Sequence, residues 1–529
     1  MANTSIFNSI RKTLLPKADT HNAAGGLAYQ LDDKEALAQY VVTGCFNGTF
    51  YHSAEGQLKK VIKLAAKVDD KFLAQTAVYS RNRAYMKDAP ALLCAILAGR
   101  NTELFKEVFS EVIDNGKMLR NFVQIMRSGV TGRNSLGSAS KKQVQAWLNR
   151  VHDDALLYAS VGNSPSLADV IKMVHPRAKS AERNAYYGYL IGRKVEQSLL
   201  PEKVQAFEAW KKDKSKTVVL PNVPFQLLTA QQLTKADWMK IAQNAPWQMT
   251  RMNLNTFARQ GVLEKQGMVQ MIAGKLSNRN LVERSRVFPY QLLAAYKNAS
   301  DEVPVEIRNA LQEAMEISLE NVPEIVGKVA VCVDVSGSMH SPATGYRKGA
   351  SSAVRCIDVA ALVGAAILRK NPDAIILPFE NDVVKVGLNP YDSVMTNAKI
   401  LSTLPFGGTN CSAPLRWLNR NKQDVDMVIY VSDNESWLDS PHYGNFSNGN
   451  ATTTIKEWAT LKKRCRKAKM ACIDITPHDT QQAKSREDIL NIGGFSDQVF
   501  KLLAQYANGD LTDGHCVSEI KKEEIKTEI

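Results

Sequence analysis

The sequence predicts a protein of two parts: an all-helical region over about the first 320 residues, followed by an α/β domain built on a parallel sheet. In the first part apolar residues recur at the helical period, as in Leu58-x-x-Val61-Ile62, and β-alternation is almost absent. Composition changes near residues 304–323, after which apolar, β-branched runs alternate with helical patterns. That alternation is typical of parallel strands joined by crossover helices. At 529 residues the chain is long enough for two large domains.

The bulk composition is that of an ordinary globular protein with a sizeable core, since 44% of the residues are hydrophobic and 23% are charged. The 8 cysteines are scattered and form no CxxC pair, which argues against a disulfide framework and a structural zinc site. No apolar run reaches the roughly 18 residues of a membrane span. Met1–Phe7 lacks the charged start and apolar core of a secretory signal. We therefore expect a cytoplasmic location and no membrane partner.

The charge balance is strongly basic, with a formal net charge of +14 and a pI near 9.2. An excess of this size indicates a polyanionic partner, and nucleic acid is the leading candidate. The alternative is a solubilising surface without a particular partner. Clustering of the basic residues favours the polyanion.

The first part consists of amphipathic helices of about 10 to 15 residues, separated by short polar breaks with Gly, Asn or Asp. Many such helices in series, without a fixed sequence period, predict irregular stacked pairs of the HEAT or armadillo kind. A solenoid of this kind presents one concave face, which binds partners more often than it catalyses. The predicted helices are Ala36–Val42, Leu58–Ala65, Phe72–Tyr79, Ala89–Ala98, Leu104–Ile113, Leu119–Met126, Lys142–Arg150, Ser166–Met173, Ala181–Leu190, Pro201–Trp210, Thr229–Gln232, Lys235–Ala242, Gln248–Gln260, Val269–Leu276, Tyr290–Lys297 and Pro304–Leu319.

The polar breaks of this region are rich in cations, which suit contacts to phosphate by charge and hydrogen bond. Interleaved tyrosines, Tyr85, Tyr158, Tyr186 and Tyr187, are candidates for stacking on unpaired bases. Most of these basic residues, taken alone, are more typical of a solvated helix end, so the prediction of phosphate contacts depends on the number of clusters. The candidate RNA-binding residues are Arg81, Arg83, Lys87, Lys117, Arg120, Arg127, Arg133, Lys141, Lys142, His175 and Arg177. A lysine-rich linker at 211–216 precedes the strand-like run Val218–Leu220.

The second part alternates between strands and helices, which predicts a doubly wound parallel sheet. Glu380-Asn381-Asp382 separates two short apolar runs and suits an antiparallel hairpin at the sheet edge. The predicted strands are Val329–Val335, Ala374–Phe379, Val383–Val386, Asp426–Ser432 and Met470–Ile475. The predicted helices are Cys356–Leu368, Ala398–Leu404, Ala413–Asn419, Ile455–Lys467 and Ser496–Asn508.

A candidate metal site follows the first of these strands. Asp334, Ser336 and Ser338 alternate just beyond the strand's carboxyl end, where open α/β sheets place their ligands. Hard oxygen ligands with little charge suit Mg²⁺ or Mn²⁺. The alternative is a Ser/Gly turn in which Asp334 caps a helix. Thr409, after a Gly-Gly turn, and Asp433, at the end of a second buried strand, are expected to meet at the same edge. Five oxygen-bearing side chains from three loops favour the metal site.

These motifs resemble a known family. Asp334-Val335-Ser336-Gly337-Ser338, Gly407-Gly408-Thr409-Asn410 and the strand-end Asp433 resemble the metal-ion-dependent adhesion site of a von Willebrand factor A (vWA) domain. The resemblance implies that Asp334, Ser336 and Ser338 bind a divalent ion directly, while Thr409 and Asp433 act directly or through water. A helical region followed by such a domain, together with Arg286–Tyr290 and Ser80–Ala91, is similar to the TROVE family of Ro autoantigens and bacterial Ro-related proteins.

The resemblance to TROVE proteins implies a HEAT-like helical ring over residues 1–322, a vWA domain over 323–510 and a charged tail over 511–529. It implies binding of small noncoding Y RNAs on the outer basic surface, with His175 among the contacts. It further implies that single-stranded 3′ ends of misfolded RNA pass through the central hole during RNA quality control. It also implies that the protein is a monomer. An exoribonuclease such as polynucleotide phosphorylase is the implied protein partner. Tyr158 and Gly162 depart from the family pattern, which often has basic residues there.

Three classes of function are compatible with these features. The first is a non-catalytic RNA-binding scaffold, and the second is a protein-assembly module whose metal captures a partner's acidic side chain. The third, a metal-dependent hydrolase, is disfavoured because the motif holds no general base and Ser336 is a ligand. Glu435 and His340 are the nearest candidate bases. The loops at 341–352 and 439–454 flank the site and either gate it, dock a partner or simply connect elements.

Overall fold

The computed structural model describes residues 15–43, 46–213, 218–287, 289–320, 322–346, 354–437, 451–476, 478–494, 498–509 and 515–525. They form two compact units, each drawn from separate stretches of the chain. The first unit comprises Met1–Lys67, Val282–Asn298 and Leu311–Glu519, and the second comprises Val68–Leu281, Ala299–Ala310 and Ile520–Ile529. The N-terminal segment therefore groups with the α/β domain and not with the helices that follow it. Most of the loops at 341–352 and 439–454 lies outside the described residues.

The elements up to the start of the α/β domain are nearly all helical. They are β1 (Thr20–His21), β2 (Leu27–Gln30), α1 (Asp33–Thr43), α2 (Ala54–Lys67), α3 (Asp70–Asn82), α4 (Asp88–Arg100), α5 (Thr102–Val112), α6 (Gly116–Arg127), α7 (Gly137–Arg150), α8 (Asp153–Ala159), α9 (Leu167–Val174), α10 (Ala181–Leu190), α11 (Glu202–Lys212), α12 (Phe225–Leu228), α13 (Lys235–Asn244), α14 (Trp247–Met252), α15 (Leu254–Arg259), α16 (Gln266–Leu276), α17 (Arg279–Ser285), α18 (Pro289–Asn298) and α19 (Val305–Leu319).

The remaining elements alternate as predicted. They are β3 (Val329–Asp334), α20 (Cys356–Lys370), β4 (Ile375–Phe379), α21 (Val394–Ser402), α22 (Ala413–Arg420), β5 (Met427–Ser432), α23 (Thr453–Arg464), β6 (Lys469–Asp474), β7 (Thr480–Gln481), β8 (Ile489–Gly493), α24 (Gln498–Asn508) and α25 (His515–Lys521). The last helix lies within the stretch predicted as a charged tail. No helix among the described residues combines the length and the apolar character that a bilayer span requires.

In the second unit, short polar residues start the helices because their side chains satisfy free backbone N–H groups. Asn101 accepts from the Leu104 N–H at 3.2 Å. Ser166 and Thr234 form complete capping boxes with the Asp three residues on. The polar breaks seen in the sequence therefore delimit the helices by capping them. Packing follows the apolar faces, so that α3, α4 and α5 contact one another.

In the first unit, a five-stranded sheet has the order β4-β3-β5-β6-β8, with every neighbouring pair parallel. The chain passes from β3 to β4 on one side and then to β5 on the other, so β3 and β5 flank the topological switch point. All residues of both strands are buried. Helix α20 lies close to the sheet, since a Cβ at Gly364 would come within 2.8 Å of the Val333 methyl group.

Two predicted strands do not form, and four strands were not predicted. The Val383–Val386 strand is absent, and only a single bridge joins Phe379 to Val383. Val218–Leu220 does not form a strand either. Val219 is 77% exposed, and the run has no partner strand among the described residues, so its β-branched side chains do not produce a strand. The unpredicted β8 extends the large sheet beside β6, while β1, β2 and β7 form a small antiparallel sheet. Pairing across hundreds of residues creates that small sheet.

The close packing of α20 on the sheet predicts that Gly364→Ala destabilises the first unit. The added methyl meets the side chain of a fully buried, β-branched residue, and overpacking of this kind costs roughly 1–3 kcal/mol. Urea unfolding followed by tryptophan fluorescence measures the change. Gly387→Ala is the matched control, because nothing lies within 4 Å of its added carbon. Equal stability of Gly364→Ala and the parent chain would contradict the packing.

Candidate metal centre and basic residues

The five predicted metal-site residues converge at the carboxyl edge of the sheet. Asp334 ends β3, Ser336 and Ser338 follow in a short turn, and Asp433 follows β5. The Ser336 and Ser338 Oγ atoms lie 3.3 Å apart, and the Ser338 hydroxyl hydrogen-bonds Asp433. The Thr409 loop joins them, since the Trp437 N–H donates to the Thr409 carbonyl at 2.9 Å. All five side chains are at most 6% exposed.

Asp334 is held by two hydrogen bonds. The Ser336 N–H donates to Oδ1 at 2.9 Å, and the Ser432 hydroxyl donates to Oδ2 at 2.5 Å. Ser432 is the last residue of β5. It was not singled out from sequence, although its place at a strand end is a usable signal. The carboxylate is thereby oriented before any ligand arrives.

The electrostatics of this cluster favour a cation. Burial raises the pKa of Asp334, and burial together with the nearby Asp334 charge raises the pKa of Asp433. No lysine or arginine in the described part of the chain forms an ion pair with either carboxylate. Two buried carboxylates without a matched positive charge are costly. A divalent ion supplies that charge, and oxygen donors suit Mg²⁺ or Mn²⁺.

The described residues contain no group of three Asp, Glu, His or Cys side chains placed to hold a metal. A cation here therefore depends on the hydroxyls of Ser336, Ser338 and Thr409 as well as on two carboxylates. This donor set leaves room in the coordination sphere for water or for a partner's oxygen. The residues present fit a hard divalent ion.

The N-terminal segment contributes a further group to this edge. The Tyr51 hydroxyl hydrogen-bonds Ser338, and it accepts from the Trp437 indole at 3.4 Å. Burial and the Asp433 charge raise the pKa of Tyr51, so the phenol stays protonated near neutral pH. Sequence reasoning missed Tyr51, because nearly three hundred residues separate it from the motif. It lies where it can contact a ligand of the metal.

A buried polar network lies behind the site. His478 Nδ1 and Glu435 Oε1 are 2.9 Å apart, and His478 Nε2 lies 2.7 Å from the Thr476 hydroxyl. Burial lowers the pKa of His478, but the charge and hydrogen bond of Glu435 together with the charges of Asp433 and Asp474 outweigh it and raise the value to about 9. Asp474 accepts from Gln39 Nε2 at 3.0 Å, while its Oδ1 has no partner. Burial raises the pKa of Asp474 to about 8.

Both candidate general bases are engaged elsewhere. Glu435 is paired with His478, as described above, and also accepts from the Ala24 N–H at 3.2 Å. His340 Nδ1 lies 2.9 Å from an Arg355 guanidinium nitrogen. Burial and the Arg355 charge lower the pKa of His340. Among the described residues, the site therefore offers hydroxyl and carboxylate ligands but no free base beside them.

The predicted RNA-binding residues fall into two groups in the second unit. Three have structural partners: Arg81 pairs with Asp114 at 2.6 Å, Arg83 with Glu523 at 3.0 Å, and Arg133 donates to the Ala98 carbonyl at 2.8 Å. The others are half-buried or exposed, and they are Lys87, Lys117, Arg120, Arg127, Lys141, Lys142, His175 and Arg177. His175 caps α9 in the left-handed conformation, with φ of 48°.

Comparisons with known proteins agree with this architecture. Residues 328–507 match the family model described as the Ro60 vWA domain. The chain is 23% identical, over 94% of its length, to a Deinococcus radiodurans protein named RNA-binding protein RO60, of which it spans 97%. A Caenorhabditis elegans protein of that name is 24% identical over 60% of this chain and 50% of that protein.

A solved structure supports the fold over most of the chain. The crystal structure of the D. radiodurans RO (RSR) protein matches with a TM-score of 0.60 at 21% identity, covering 91% of this chain and all of that one. The resemblance to Ro proteins seen in the sequence is thus confirmed. The match over residues 328–507 makes this part of the chain similar to a vWA domain of the Ro60 type.

The cluster of buried oxygens predicts that Mg²⁺ or Mn²⁺ stabilises the first unit. A ligand that binds only the folded state adds about 2.7 kcal/mol at a concentration of a hundred times its Kd. Thermal unfolding with and without the metal salt measures the effect. Asp334→Asn should abolish the shift, whereas Asp373→Asn, at an exposed aspartate of the same unit, should retain it. A shift of equal size in Asp334→Asn would place the ion elsewhere.

Because Asp474 is buried, we expect Asp474→Asn to have a higher free energy of unfolding than the parent chain, by an amount that depends on pH. The unfolded carboxyl loses its proton near pH 3.8, but the folded one keeps it to about pH 8. Stability therefore falls as pH rises between these values, by up to about 1.4 kcal/mol per pH unit. Asparagine has no such loss, so the advantage of the variant is absent at pH 4 and grows toward pH 8. Urea unfolding at several pH values tests this; an advantage independent of pH would show that Asp474 is ionised in the fold.

Proposed function

We propose that this chain is a non-catalytic RNA-binding protein whose helical unit holds RNA. The observation that carries the proposal is a set of exposed cations on the helices and connecting segments of that unit, Lys117, Arg127, Lys141, Lys142 and Arg177. None of these five forms an ion pair with another described residue. Cations without protein partners are free to bind phosphates and release counterions. The relatives named RNA-binding protein RO60 support the proposal that this chain binds RNA.

We propose further that the helices form the HEAT-like ring expected of a Ro-type protein. A Y-type small RNA then binds its outer surface, with His175 and Arg177 at one corner. Single-stranded 3′ ends of misfolded RNA enter the central hole, and an exoribonuclease such as polynucleotide phosphorylase acts on the captured RNA. In this proposal the protein is a cytoplasmic monomer that assists RNA quality control.

The metal centre has a separate role in the proposal. Asp334, Ser336, Ser338, Thr409 and Asp433 hold a divalent ion, whose open position takes an acidic side chain of a partner protein. Such a site repels phosphates less than a bare carboxylate cluster, but the surrounding acids make it a poor anchor for a polyanion. We assign it to protein assembly, which is also the alternative function for the whole chain. The engaged states of Glu435 and His340 support a binding role over hydrolysis.

Salt dependence tests the RNA-binding proposal. Affinity for a structured RNA should fall steeply between 50 and 200 mM salt, as roughly six or more phosphate contacts require. Lys141→Ala with Lys142→Ala should reduce the slope of log affinity against log salt by about 2, one for each lost contact. Filter binding across a salt series measures both quantities.

The matched control is Lys456→Ala with Lys467→Ala, which removes two exposed lysines of the α/β domain. This pair should leave the slope unchanged, because the proposal places the RNA on the helical unit. Binding that is absent at low salt, or insensitive to salt, would overturn the proposed function. Equal losses from both lysine pairs would show non-specific attraction to the whole surface.

A further inference from the structure

The helical unit contains a cavity of about 350 Å³ that none of the functions above uses. The first turns of α6 and the end of α8 form one side, and the stretch from 220 to 228 with the ends of α13 and α14 forms the other. Its volume lies in the usual range of small-molecule sites, roughly 300–1,000 Å³. The residues that matter for the argument are Lys117, Arg120, Tyr158, Val223, Pro224 and Asn244.

Arg120 is positioned in this cavity without being neutralised. Its Nε is buried and has no hydrogen-bond partner, and no described carboxylate forms an ion pair with the guanidinium. Burial lowers the pKa of Arg120, with no opposing acidic charge. The group lies against the backbone of Gly162, where a Cβ would come within 2.5 Å of Nη1. A partly buried guanidinium with an unsatisfied Nε–H is unfavourable, so an anion that completes its hydrogen bonds binds favourably.

The rest of the lining suits a flat, uncharged ring. Val223, Pro224 and their neighbours form an apolar wall, and the prolines in this wall have no backbone N–H donor. Tyr158, which also lines the cavity, is 56% exposed. Asn222, Gln226 and Asn244 supply amide groups that can donate to or accept from a base edge. None of the lining residues is acidic. One part of the cavity therefore attracts an anion, and the other an aromatic group with polar edges.

We propose that this cavity holds one unpaired nucleotide of a bound RNA, with its phosphate on Arg120 and Lys117 and its base between Tyr158 and the apolar wall. The proposal rests on the proposed RNA-binding function and adds a site to it. Lys117 and Tyr158 are both exposed, so the neighbouring phosphates of the strand can continue into solvent. A base inside a duplex cannot reach the wall, which makes the site selective for single-stranded segments.

The experiment measures binding of the full chain to a fluorescein-labelled RNA octamer without secondary structure, by anisotropy at low salt. Base stacking on an aromatic ring contributes about 1–3 kcal/mol, so Tyr158→Ala should weaken binding roughly 5- to 100-fold. Arg120→Met, which keeps length and removes charge, should weaken it at least about tenfold. Tyr391→Ala, at a 76% exposed tyrosine of the other unit, is the matched control and should bind like the parent chain.

A blunt RNA duplex provides the second arm. Its affinity should be unchanged by Tyr158→Ala, because no base leaves the stack. Since Tyr158 is largely exposed, this variant should fold normally, and thermal unfolding followed by circular dichroism verifies it.

The outcomes are distinguishable. If the parent chain binds neither RNA at low salt, the proposed function itself fails. If the parent chain binds the octamer and both variants bind it equally well, only the nucleotide site is overturned. If adenosine monophosphate displaces the octamer with the octamer's own affinity, the cavity is a site for free nucleotides and the assignment to RNA is overturned.

Discussion

The buried carboxylate of Asp334 is the constraint around which the α/β domain is arranged. It ends the buried strand β3 and has no cationic partner among the described residues, yet two hydrogen bonds orient it. One donor comes from its own turn and the other from the neighbouring strand β5. Loops from three places in the chain close over it, with the Gly337 N–H donating to the Gly407 carbonyl at 3.0 Å. Such an arrangement sacrifices stability unless a cation binds, which is typical of a site kept for function.

The helical unit separates its cations into those that stabilise the fold and those that face solvent. Arg81, Arg83 and Arg133 have acceptors in the protein, so their charge or hydrogen bonds are already satisfied. Lys141 and Lys142 have none among the described residues. Exposed pairs contribute little to stability in any case. A polyanion can therefore bind the unpaired cations without breaking interactions that stabilise the fold. The RNA-binding proposal depends on these cations.

The N-terminal segment completes the first unit. Strand β2 pairs with β7, and Gln39 of α1 donates to Asp474. The Asn22 amide donates to the Ser436 carbonyl at 2.9 Å, and the same segment carries Tyr51 to the metal centre. The domain is therefore assembled from both ends of the sequence. Glu435 and His478, paired beside Asp433, fix the loop that carries the last candidate metal ligand.

The sequence by itself determined the local features: strands β3 to β6 are found within one residue of their predicted ends, and the helix breaks are capped as their residue types require. It also singled out the five candidate metal ligands that the structure brings to one edge of the sheet, because their spacing along each loop is a local property. Only the tertiary structure decided that Val383–Val386 forms a single bridge and no strand, that β7 and β8 form strands, and that Tyr51 and Ser432 lie beside the candidate metal ligands. It alone decided which arginines are neutralised and that Arg120 faces a cavity. These features depend on partners tens to hundreds of residues away, and residue periodicity carries no information about such partners.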